Sequence, residues 1–575
     1  MRATGLAWLA VAVLCKFSLS VVQAQVAADY LVTDLPGLSP EDSAELKQYA
    51  GHIALDAEKL SNLFFWLVSS KHQQNNNKLI IWLNGGPGCS SADGYFLETG
   101  PLRFVDKKLT INKGGWHEFA NVVFLDQPVG TGLSYTSEQL LRSLPEIKDH
   151  LLAFLKAFFA IFPERAKDDL YIAGESYAGT YIPYFAKGIL DHNANVPAGE
   201  IVYNLKGLAI GNGWIDPLHQ YTSVIPYAEH HGIASPDLLA QLAAQQTYCL
   251  DDIRAHDVIS QPKCEQLVQL ILDSSESGST CLNQYDIRLR DSYPSCGLLW
   301  PYELPLMAEY LRRDDVKKAL HATNAQAAWI ECNPRVSHAL QLDTSAPAVT
   351  LLPEILEKAN VLLFSGEQDL ICNHIGTEYL IANLTWQGEQ GFQNAPKLRW
   401  TVDNTPAGVW RQERNMTYVL LYNASHMVPY DVPLAALDMM NRFMGLDPKL
   451  QAFTSNLETI TGDVPPGGQK VDMPNGTSVR NGSTVLVFVI FAVGVGILVA
   501  MKNRQQTKNR DDGAQWFPLN RSGANQGHEA LQTDELDELV VESGLRDDSD
   551  DEDMEDNAFD SHRRYGETSS LKSNE

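Results

Sequence analysis

Three short segments carry side chains that could act together in nucleophilic catalysis. Ser176 lies in a Gly-x-Ser-x-Ala segment directly after one apolar run, and Asp369 and His426 each follow a later apolar run. A serine hydroxyl is a poor nucleophile until a base takes its proton, and a carboxylate can orient that base and stabilise its charged form. The sequence therefore predicts a triad in which Ser176 is the nucleophile, His426 the base and Asp369 the acid.

A glycine-rich segment earlier in the chain could supply the electrostatic part of such a reaction. Residues 84–88 read Asn-Gly-Gly-Pro-Gly and directly follow the apolar run 79–83. Glycines expose backbone N–H groups, and the oxyanion that forms when a serine attacks a carbonyl needs two fixed donors. We predict that the N–H groups of Gly86 and Tyr177 form this oxyanion hole. The alternative, a plain Gly-Pro turn, leaves the triad without donors.

The elements that must position these residues are indicated by short apolar runs. The runs are continuous rather than alternating, which predicts parallel strands covered on both faces. They occupy residues 79–83, 122–125, 170–173, 208–210, 361–364 and 418–421, with helical patterns such as 151–162 and 434–443 between them. This alternation and the chain order nucleophile, acid, histidine predict the α/β class, as an α/β-hydrolase fold with a mostly parallel central sheet. Ser176 is expected at a strained strand-to-helix turn, which needs small residues two positions before and after it.

The strand pattern stops between about residues 217 and 345. This segment is rich in Ala, Gln and Leu and holds five of the seven cysteines that follow the first 24 residues. We interpret it as an inserted helical cap stapled by disulfides, within a catalytic domain over residues 25–464. Residues 465–483, rich in Pro, Gly, Asn and Ser, are predicted to be a flexible spacer.

Both ends of the chain indicate the secretory pathway and a membrane. Residues 1–24 have the charged start, short apolar stretch and small-residue cleavage site of a signal peptide. The apolar run at 484–501 predicts one transmembrane helix, and the Lys and Arg residues that follow it predict a cytoplasmic C-terminal side. The expected topology is a single-pass type I membrane protein with a lumenal catalytic domain.

Sequons for N-glycosylation agree with this topology, because five of them lie before the predicted transmembrane helix. They begin at Asn383, Asn415, Asn423, Asn475 and Asn481. We predict that these asparagines are glycosylated in the lumen.

The last segment, residues 502–575, is strongly acidic and poor in apolar residues, so it is expected to be disordered. A solvated tail and a signal bound by sorting machinery are both compatible with this composition. The whole chain has a formal net charge of −27, which argues against nucleic acid as a partner. No His or Cys spacing has a zinc pattern, so neither a metal nor an organic cofactor is predicted.

Four motifs taken together resemble the serine carboxypeptidases. They are residues 82–91 (Trp-Leu-Asn-Gly-Gly-Pro-Gly-Cys-Ser-Ser), 174–179 (Gly-Glu-Ser-Tyr-Ala-Gly), 211–213 (Gly-Asn-Gly) and 426–429 (His-Met-Val-Pro), and the likeness runs from about Tyr30 to Leu446. The resemblance implies that the C-terminal carboxylate of a peptide is bound by Trp82, Asn84, Gly85, Glu98 and Glu175, and that Met427 also contacts the substrate. The transmembrane helix and acidic tail resemble those of fungal Golgi members of the family that trim pheromone and killer-toxin precursors.

Three acidic residues give this expectation a chemical form. Two close carboxyl groups keep a proton to high pH, because both cannot ionise cheaply together. Glu98 and Glu175 are therefore expected to share a proton, to donate to the substrate carboxylate and to give an acidic pH optimum. Asp93 lies where the family shapes the pocket for the departing residue, and an acid there would favour Lys or Arg. The alternative for Asp93 is an aspartate on an exposed loop.

The resemblance also implies a disulfide between Cys89 and Cys332. The other four cysteines of the predicted cap are expected to pair among themselves, in a nested arrangement of Cys249 with Cys296 and Cys264 with Cys281, although sequence alone does not fix that connectivity. Cys372 is then a spare thiol near the site.

The leading hypothesis is a serine-type carboxypeptidase of the Golgi or trans-Golgi membrane. It would release C-terminal residues, preferentially Lys or Arg, from secretory peptide and protein precursors after an endoprotease has cut them. Two alternatives stay open: an acyltransferase or esterase on the same fold, and a non-catalytic, hydrolase-like membrane receptor.

Overall fold

The computed structural model describes residues 25–58, 60–72, 77–325 and 327–460. The predicted signal peptide, spacer, transmembrane helix and acidic tail, and the sequons at Asn475 and Asn481, lie outside these ranges. Within them, no helix combines the length and the apolar character that crossing a membrane requires.

A long twisted sheet organises the described residues. In chain order the strands are β1 (Leu31–Val32), β2 (Gln48–Ala54), β3 (Ser61–Val68), β4 (Lys78–Leu83), β5 (Leu102–Val105), β6 (Lys108–Ile111), β7 (Asn121–Leu125), β8 (Tyr135–Thr136), β9 (Asp169–Glu175), β10 (Leu205–Gly211), β11 (Thr280–Leu282), β12 (Arg290–Ser292), β13 (Asn360–Gly366), β14 (Thr385–Trp386), β15 (Glu389–Gln390), β16 (Leu398–Val402), β17 (Thr405–Glu413), β18 (Met416–Leu421) and β19 (Ser455–Thr459). The main sheet has the order β1-β2-β3-β7-β4-β9-β10-β13-β18-β17-β16-β19.

The centre of this sheet is parallel, as the apolar runs predict. Strands β7, β4, β9, β10, β13 and β18 pair in parallel, and every predicted run lies inside one of them. The strands on both sides of this centre pair antiparallel. The parallel pairing matters for function, because it brings the carboxyl ends of the central strands to one edge of the sheet.

Helices cover both faces of the central strands. They are α1 (Pro40–Glu45), α2 (Leu144–Ile161), α3 (Ala178–Ala194), α4 (Pro217–His230), α5 (Pro236–Ala255), α6 (Pro262–Ser274), α7 (Leu304–Arg312), α8 (Asp314–Ala319), α9 (Pro334–Leu340), α10 (Leu352–Leu356), α11 (His374–Asn383), α12 (Val428–Asp431) and α13 (Pro433–Phe443). Alternate residues of β4 pack into different cores: Leu79 and Ile81 face the core that contains α2 and α3, whereas Ile80 and Trp82 face the core that contains α13. A strand buried on both faces needs apolar residues at every position, which explains the continuous runs.

Residues 217–345 contain α4 to α9, and also the hairpin β11–β12, which the sequence analysis did not predict. Helices α4, α5 and α6 share a small core of their own with the two cystines of this region. The interpretation of the whole segment as a cap over the site stays a prediction.

The nested disulfide pairing predicted for this region is wrong. Cys249 is bonded to Cys264 and Cys281 to Cys296, each pair 15 residues apart. The first bond joins the neighbouring helices α5 and α6, and the second staples the hairpin β11–β12. Each pair is brought together by a local hairpin, with Cα atoms 4.7 and 5.4 Å apart, which is the separation that a disulfide needs.

Three of the predicted glycosylation sites, Asn383, Asn415 and Asn423, are exposed in the structure. Glycosylation itself stays a prediction at all five sequons.

Candidate active site

Ser176 lies at a sharp turn between β9 and α3. Its φ angle is +59°, in the left-handed region that a residue with a side chain rarely adopts. The turn is held by the N–H groups of Gly179 and Trp214, which donate to the carbonyl oxygen of Ser176 at 2.9 and 2.8 Å. A side chain at Gly174 would place its Cβ 2.1 Å from the carbonyl oxygen of Leu83, so only glycine fits there. The strained turn predicted from the sequence is confirmed.

Asp369 is fully buried after the end of β13 and accepts hydrogen bonds from four donors. His426 Nδ1 lies 2.8 Å from Asp369 Oδ2, and the Asn212 side-chain amide donates to the same oxygen at 2.8 Å. The backbone N–H groups of Ile371 and Cys372 complete the set at 3.1 and 3.3 Å. A carboxylate held in this way can orient an imidazole and stabilise the positive charge that the imidazole gains during catalysis.

The parallel sheet explains how residues so far apart in the chain meet. Four strands that are neighbours in the sheet, β9, β10, β13 and β18, each end just before one of these residues. The residues are, in the same order, Ser176, Asn212, Asp369 and His426. The sequence analysis gave Asn212 no role, although it stands in the Gly-Asn-Gly motif after β10. Its side-chain oxygen also accepts from the N–H of Gly366, at 3.1 Å, so Asn212 ties β10 to the strand that carries the acid.

The glycine-rich segment packs directly against the serine turn. A Cβ at Gly85 would lie 2.4 Å from the backbone nitrogen of Tyr177 and 2.9 Å from Ser176 Cβ. The N–H groups of Gly86 and Tyr177 donate to no acceptor among the described residues. This close backbone approach leaves two unpaired donors beside the serine, which is the arrangement that an oxyanion hole requires.

A buried polar cluster adjoins this segment and contains four of the residues expected to bind a carboxylate. Asn84 Nδ2 donates to Glu98 Oε1 and to Glu175 Oε1, each at 3.2 Å, and Asn84 Oδ1 accepts from Trp82 Nε1 at 2.7 Å. Glu98 is 0% and Glu175 5% exposed. Glu98 ends a π-helical turn over Gly94–Glu98, an irregularity that is frequent at functional sites.

The pKa values of the two carboxyl groups in this cluster are both raised, and the shared proton stays a prediction. Burial raises the pKa of Glu175 well above its usual range, and the neighbouring charge of Glu98 raises it further. Burial also raises the pKa of Glu98, but hydrogen bonds from Glu175 and Asn84 oppose that rise. The raised pKa values of both acids favour a protonated carboxyl within this pair. A neutral acid can donate to a substrate carboxylate, whereas two ionised acids would repel it.

Asp93 is not on an exposed loop. It is 5% exposed, and its Oδ1 has no hydrogen-bond partner within the described ranges. Burial and then the charges of Glu331, Glu98 and Asp126 raise the pKa of Asp93 well above its usual value. Asp93 and Glu98 also raise the pKa of Glu175, which shows that all three acids lie within electrostatic reach of one another.

Glu331 is a site residue that the sequence analysis missed. Burial raises the pKa of this half-buried carboxyl to about 7. The backbone carbonyl oxygen of Glu331 accepts from the N–H of Ser90 at 2.8 Å. The next residue, Cys332, is bonded to Cys89, as the resemblance implies. The disulfide therefore brings Glu331 from a distant part of the chain to the loop that carries Asp93. The only signal in the sequence was an acid beside a cysteine.

Cys372 is a buried free thiol close to the acid and the histidine. Burial, followed by the charge of Asp369, raises the pKa of the Cys372 thiol well above its usual value, so the thiol is protonated at neutral pH. Asp369, Cys372 and His426 also offer possible metal-ligand atoms within 4.8 Å of one another. Because the carboxylate already accepts from four donors, we interpret the group as part of the triad. Met427 is buried directly after His426, and its role in substrate contact stays a prediction.

A serine at a strained strand-to-helix turn, an acid–histidine pair at the carboxyl ends of later strands and a mostly parallel sheet define the α/β-hydrolase class of serine hydrolases. The family model described as serine carboxypeptidase matches residues 36–445. The chain belongs to the serine carboxypeptidase family and is a peptidase.

Individual relatives agree with this assignment. Over 456 residues the chain is 46% identical to the pheromone-processing carboxypeptidase KEX1 of Paracoccidioides brasiliensis (strain Pb03), covering 76% of this chain and 71% of that protein. It is 42% identical over 562 residues to the protein of the same name from Tuber melanosporum (strain Mel28), covering 90% and 89%. The crystal structure of Kex1(delta)p, a prohormone-processing carboxypeptidase from Saccharomyces cerevisiae, superposes with a TM-score of 0.69 at 34% identity, covering 76% of this chain and all of that one.

Proposed function

We propose that this chain removes C-terminal lysine and arginine residues from peptides and proteins of the secretory pathway through an acyl-enzyme on Ser176. The observation that carries the proposal is the buried pair Glu98–Glu175, held by Asn84 beside the serine turn. An enzyme that acts only on free C-termini must recognise a carboxylate next to the bond that it cuts, and this pair supplies a neutral donor there.

The covalent steps follow from the geometry of the triad. Ser176 Oγ attacks the carbonyl carbon of the last peptide bond while His426 takes the serine proton, and the resulting oxyanion faces the N–H groups of Gly86 and Tyr177. His426, with its Nδ1 held by Asp369, then protonates the leaving amine and the C–N bond breaks. Water enters, gives a proton to His426 and attacks the acyl carbon. The bond between Ser176 Oγ and the acyl carbon then breaks, His426 returns the proton to Oγ, and the shortened peptide is released.

Recognition of the C-terminus also distinguishes this function from an esterase or acyltransferase on the same fold. Those activities do not require a free carboxylate in the substrate. Glu98 and Glu175 would then be two buried acids with no task, although burying ionisable groups is costly. We place the substrate carboxylate against Asn84, the Gly85 backbone and this acid pair, with Trp82 fixing the Asn84 amide.

Basic specificity rests on Asp93 and Glu331. In a C-terminal amino acid the side chain and the carboxylate are attached to the same Cα atom. The pocket for the side chain must therefore adjoin the carboxylate site. Asp93 meets this condition, because the N–H of the next residue, Gly94, donates to Asn84 Oδ1 at 3.0 Å, and the charge of Asp93 raises the pKa of Glu175. Two acids, one of which has a buried oxygen that is unpaired within the described ranges, suit an ammonium or guanidinium group better than an apolar side chain. The names of the relatives, pheromone-processing and prohormone-processing carboxypeptidases, support the same substrate class.

The cellular setting is proposed from the sequence and from those relatives. A transmembrane helix over 484–501 would anchor the enzyme in the Golgi or trans-Golgi membrane. Before it lie a signal peptide over 1–24, a catalytic domain over 25–464 with its cap and a spacer over 465–483, and after it comes an acidic cytoplasmic tail. Precursors cut by an endoprotease after basic residues would reach it there. Sorting machinery that binds the acidic tail would keep the enzyme in that compartment.

The proposal is tested with the full-length protein and its Ser176→Ala variant, incubated at acidic pH with peptides that differ only in the C-terminal residue. Mass spectrometry follows the loss of single residues. Stepwise loss of Lys and Arg by the wild type alone is the expected result. Equal trimming of all C-terminal residues would support the carboxypeptidase mechanism but contradict the preference for Lys and Arg. Cleavage of esters without any peptide trimming would favour the esterase alternative.

A further inference from the structure

The loop between β11 and β12, residues 283–289, connects the two halves of the acid–histidine pair. We call it the bridging loop. It lies between the acid loop, residues 367–372, and the histidine loop, residues 422–426, and it makes backbone hydrogen bonds to both. The Cys281–Cys296 disulfide closes the hairpin just outside it. The bridging loop is the part of the inserted region that reaches the catalytic residues themselves.

Two residues of the bridging loop, Gln284 and Ile287, bind the acid loop. The carbonyl oxygen of Gln284 accepts from the N–H groups of Leu370 and Ile371, at 3.2 and 3.3 Å. The N–H of Ile287 donates to the carbonyl oxygen of Gln368 at 3.0 Å. These bonds fix the backbone on both sides of Asp369.

Two other residues of the bridging loop, Tyr285 and Arg288, bind the histidine loop. The backbone N–H of His426 donates to the carbonyl oxygen of Tyr285 at 2.9 Å, and the two rings lie with their centroids 5.1 Å apart. Arg288 Nη1 donates to the carbonyl oxygen of Asn423 at 2.8 Å. Asn423 has a φ angle of +56°, so Arg288 contacts the strained residue at which the chain turns from β18 towards His426.

Arg288 reaches the same loop by a second route through Asp431. Its Nη2 lies 3.3 Å from Asp431 Oδ2, and that carboxylate oxygen accepts from the backbone N–H of Ser425 at 2.6 Å. The guanidinium is itself held by Asp286, which accepts from Nε and from Nη2 at 2.7 Å each. Asp286 is buried, whereas the Arg288 side chain is 36% exposed. A planar guanidinium that is hydrogen-bonded on both sides holds its partners in a fixed geometry, and the single ammonium group of a lysine cannot reproduce that geometry.

We infer that Arg288 is a positioning residue that fixes the backbone of His426 through Asn423 and Asp431. The inference rests on the catalytic role proposed for His426. The Asp369 hydrogen bond sets the direction of the imidazole, but the place of the ring relative to Ser176 depends on where the histidine loop lies. A displacement of about 1 Å at a catalytic group can cost on the order of a hundredfold in rate.

The test compares Arg288→Ala and Arg288→Lys with Arg290→Ala in the full-length protein. Arg290 is a matched control, because it lies on the same hairpin and donates to Ser275 and Thr280 but makes no contact with the histidine loop. The readouts are kcat and KM for a Lys-ended peptide, the melting temperature, and the rate at which a fluorophosphonate modifies Ser176. The last reaction needs the base but not the peptide-binding residues.

Arg288→Ala should lower kcat about 10- to 100-fold while KM changes less than about threefold, and fluorophosphonate modification should slow in proportion. Arg288→Lys should recover part of the loss, and Arg290→Ala should keep wild-type kcat. An Arg288→Ala variant with wild-type kcat, a loss confined to KM, or an equal loss in Arg290→Ala would each overturn the inference. If the alanine variant does not fold, Arg288→Gln is judged by the same criteria. A wild-type protein that trims no peptide would contradict the proposed function, while the fluorophosphonate rates would still decide the role of Arg288.

Discussion

The acid pair Asp93–Glu331 gives the sharpest test of substrate specificity. We consider the variants Asp93→Asn and Glu331→Gln, separately and together, with Glu164→Gln as a control. Glu164 is an exposed acid just before β9 begins, at the opposite edge of the sheet from the site. All three substitutions remove a carboxylate and keep the size of the side chain, so differences between them report on position.

The expected loss of kcat/KM in these variants follows from the hydrogen bonds that the acid pair can accept from a charged side chain. Burial raises the pKa of both acids, that of Glu331 to about 7, and the charge of Glu331 raises that of Asp93 further, so the pair is mostly protonated at acidic pH and gains negative charge as the pH rises. A hydrogen bond to a charged group contributes about 1.5–3 kcal/mol, so the double variant should lose about 10- to 150-fold in kcat/KM for Lys and Arg ends. Each single variant should lose at most about fivefold, because the remaining acid ionises more easily without its neighbour.

The pH dependence of the preference for Lys over Leu provides an independent test. Because burial raises the pKa of Glu331 to about 7, the pair gains negative charge as the pH rises through neutrality. The ratio of kcat/KM for a Lys end to that for a Leu end should therefore increase with pH in the wild type and stay flat in the double variant. Effects on carboxylate binding are common to both peptides and cancel in this ratio.

The assay uses two peptides that differ only in the final residue, Lys or Leu, with product formation followed by mass spectrometry from about pH 5 to about pH 8. The reasoning is refuted if Leu ends lose as much as Lys ends, or if the two single losses, expressed as free energies, add up to the double loss. A change in Glu164→Gln would show that net charge, and not the pocket, sets the preference.

Three further outcomes are expected. KM for all peptides should rise from about pH 5 to about pH 8, with kcat less affected, because the raised pKa values keep the Glu98–Glu175 pair protonated only on the acidic side; a flat KM profile would contradict carboxylate binding by a shared proton. Cys372→Ser should retain kcat within about twofold and resist mercurials that inhibit the wild type, and an inactive variant would give the thiol a role in catalysis. Asn212→Ala should lower kcat about tenfold, because Asp369 loses a side-chain donor at 2.8 Å, and an unchanged kcat would show that the other three donors suffice.

Much of the catalytic framework could be predicted from local patterns. Residues at the carboxyl ends of parallel strands meet at one edge of a sheet, so continuous apolar runs followed by Ser176, Asp369 and His426 already indicated which side chains converge. The strained turn at Ser176 follows equally from its small neighbours. The antiparallel strands were harder to predict: β2, β16 and β19 lack continuous apolar runs, whereas the run at 63–68 in β3, which is buried at every position, was not used.

The sequence by itself determined the fold class, the order of the triad residues and the glycine-rich segment beside them, because each depends on residues close in the chain or on the shared edge of a parallel sheet. Only the tertiary structure decided which cysteines pair, that Glu331 joins Asp93, that Asn212 holds Asp369, and that Arg288 reaches the histidine loop. These contacts join residues far apart in the chain or depend on how hairpins fold back on themselves. Their partners are selected by packing geometry, which leaves no periodic pattern in the sequence.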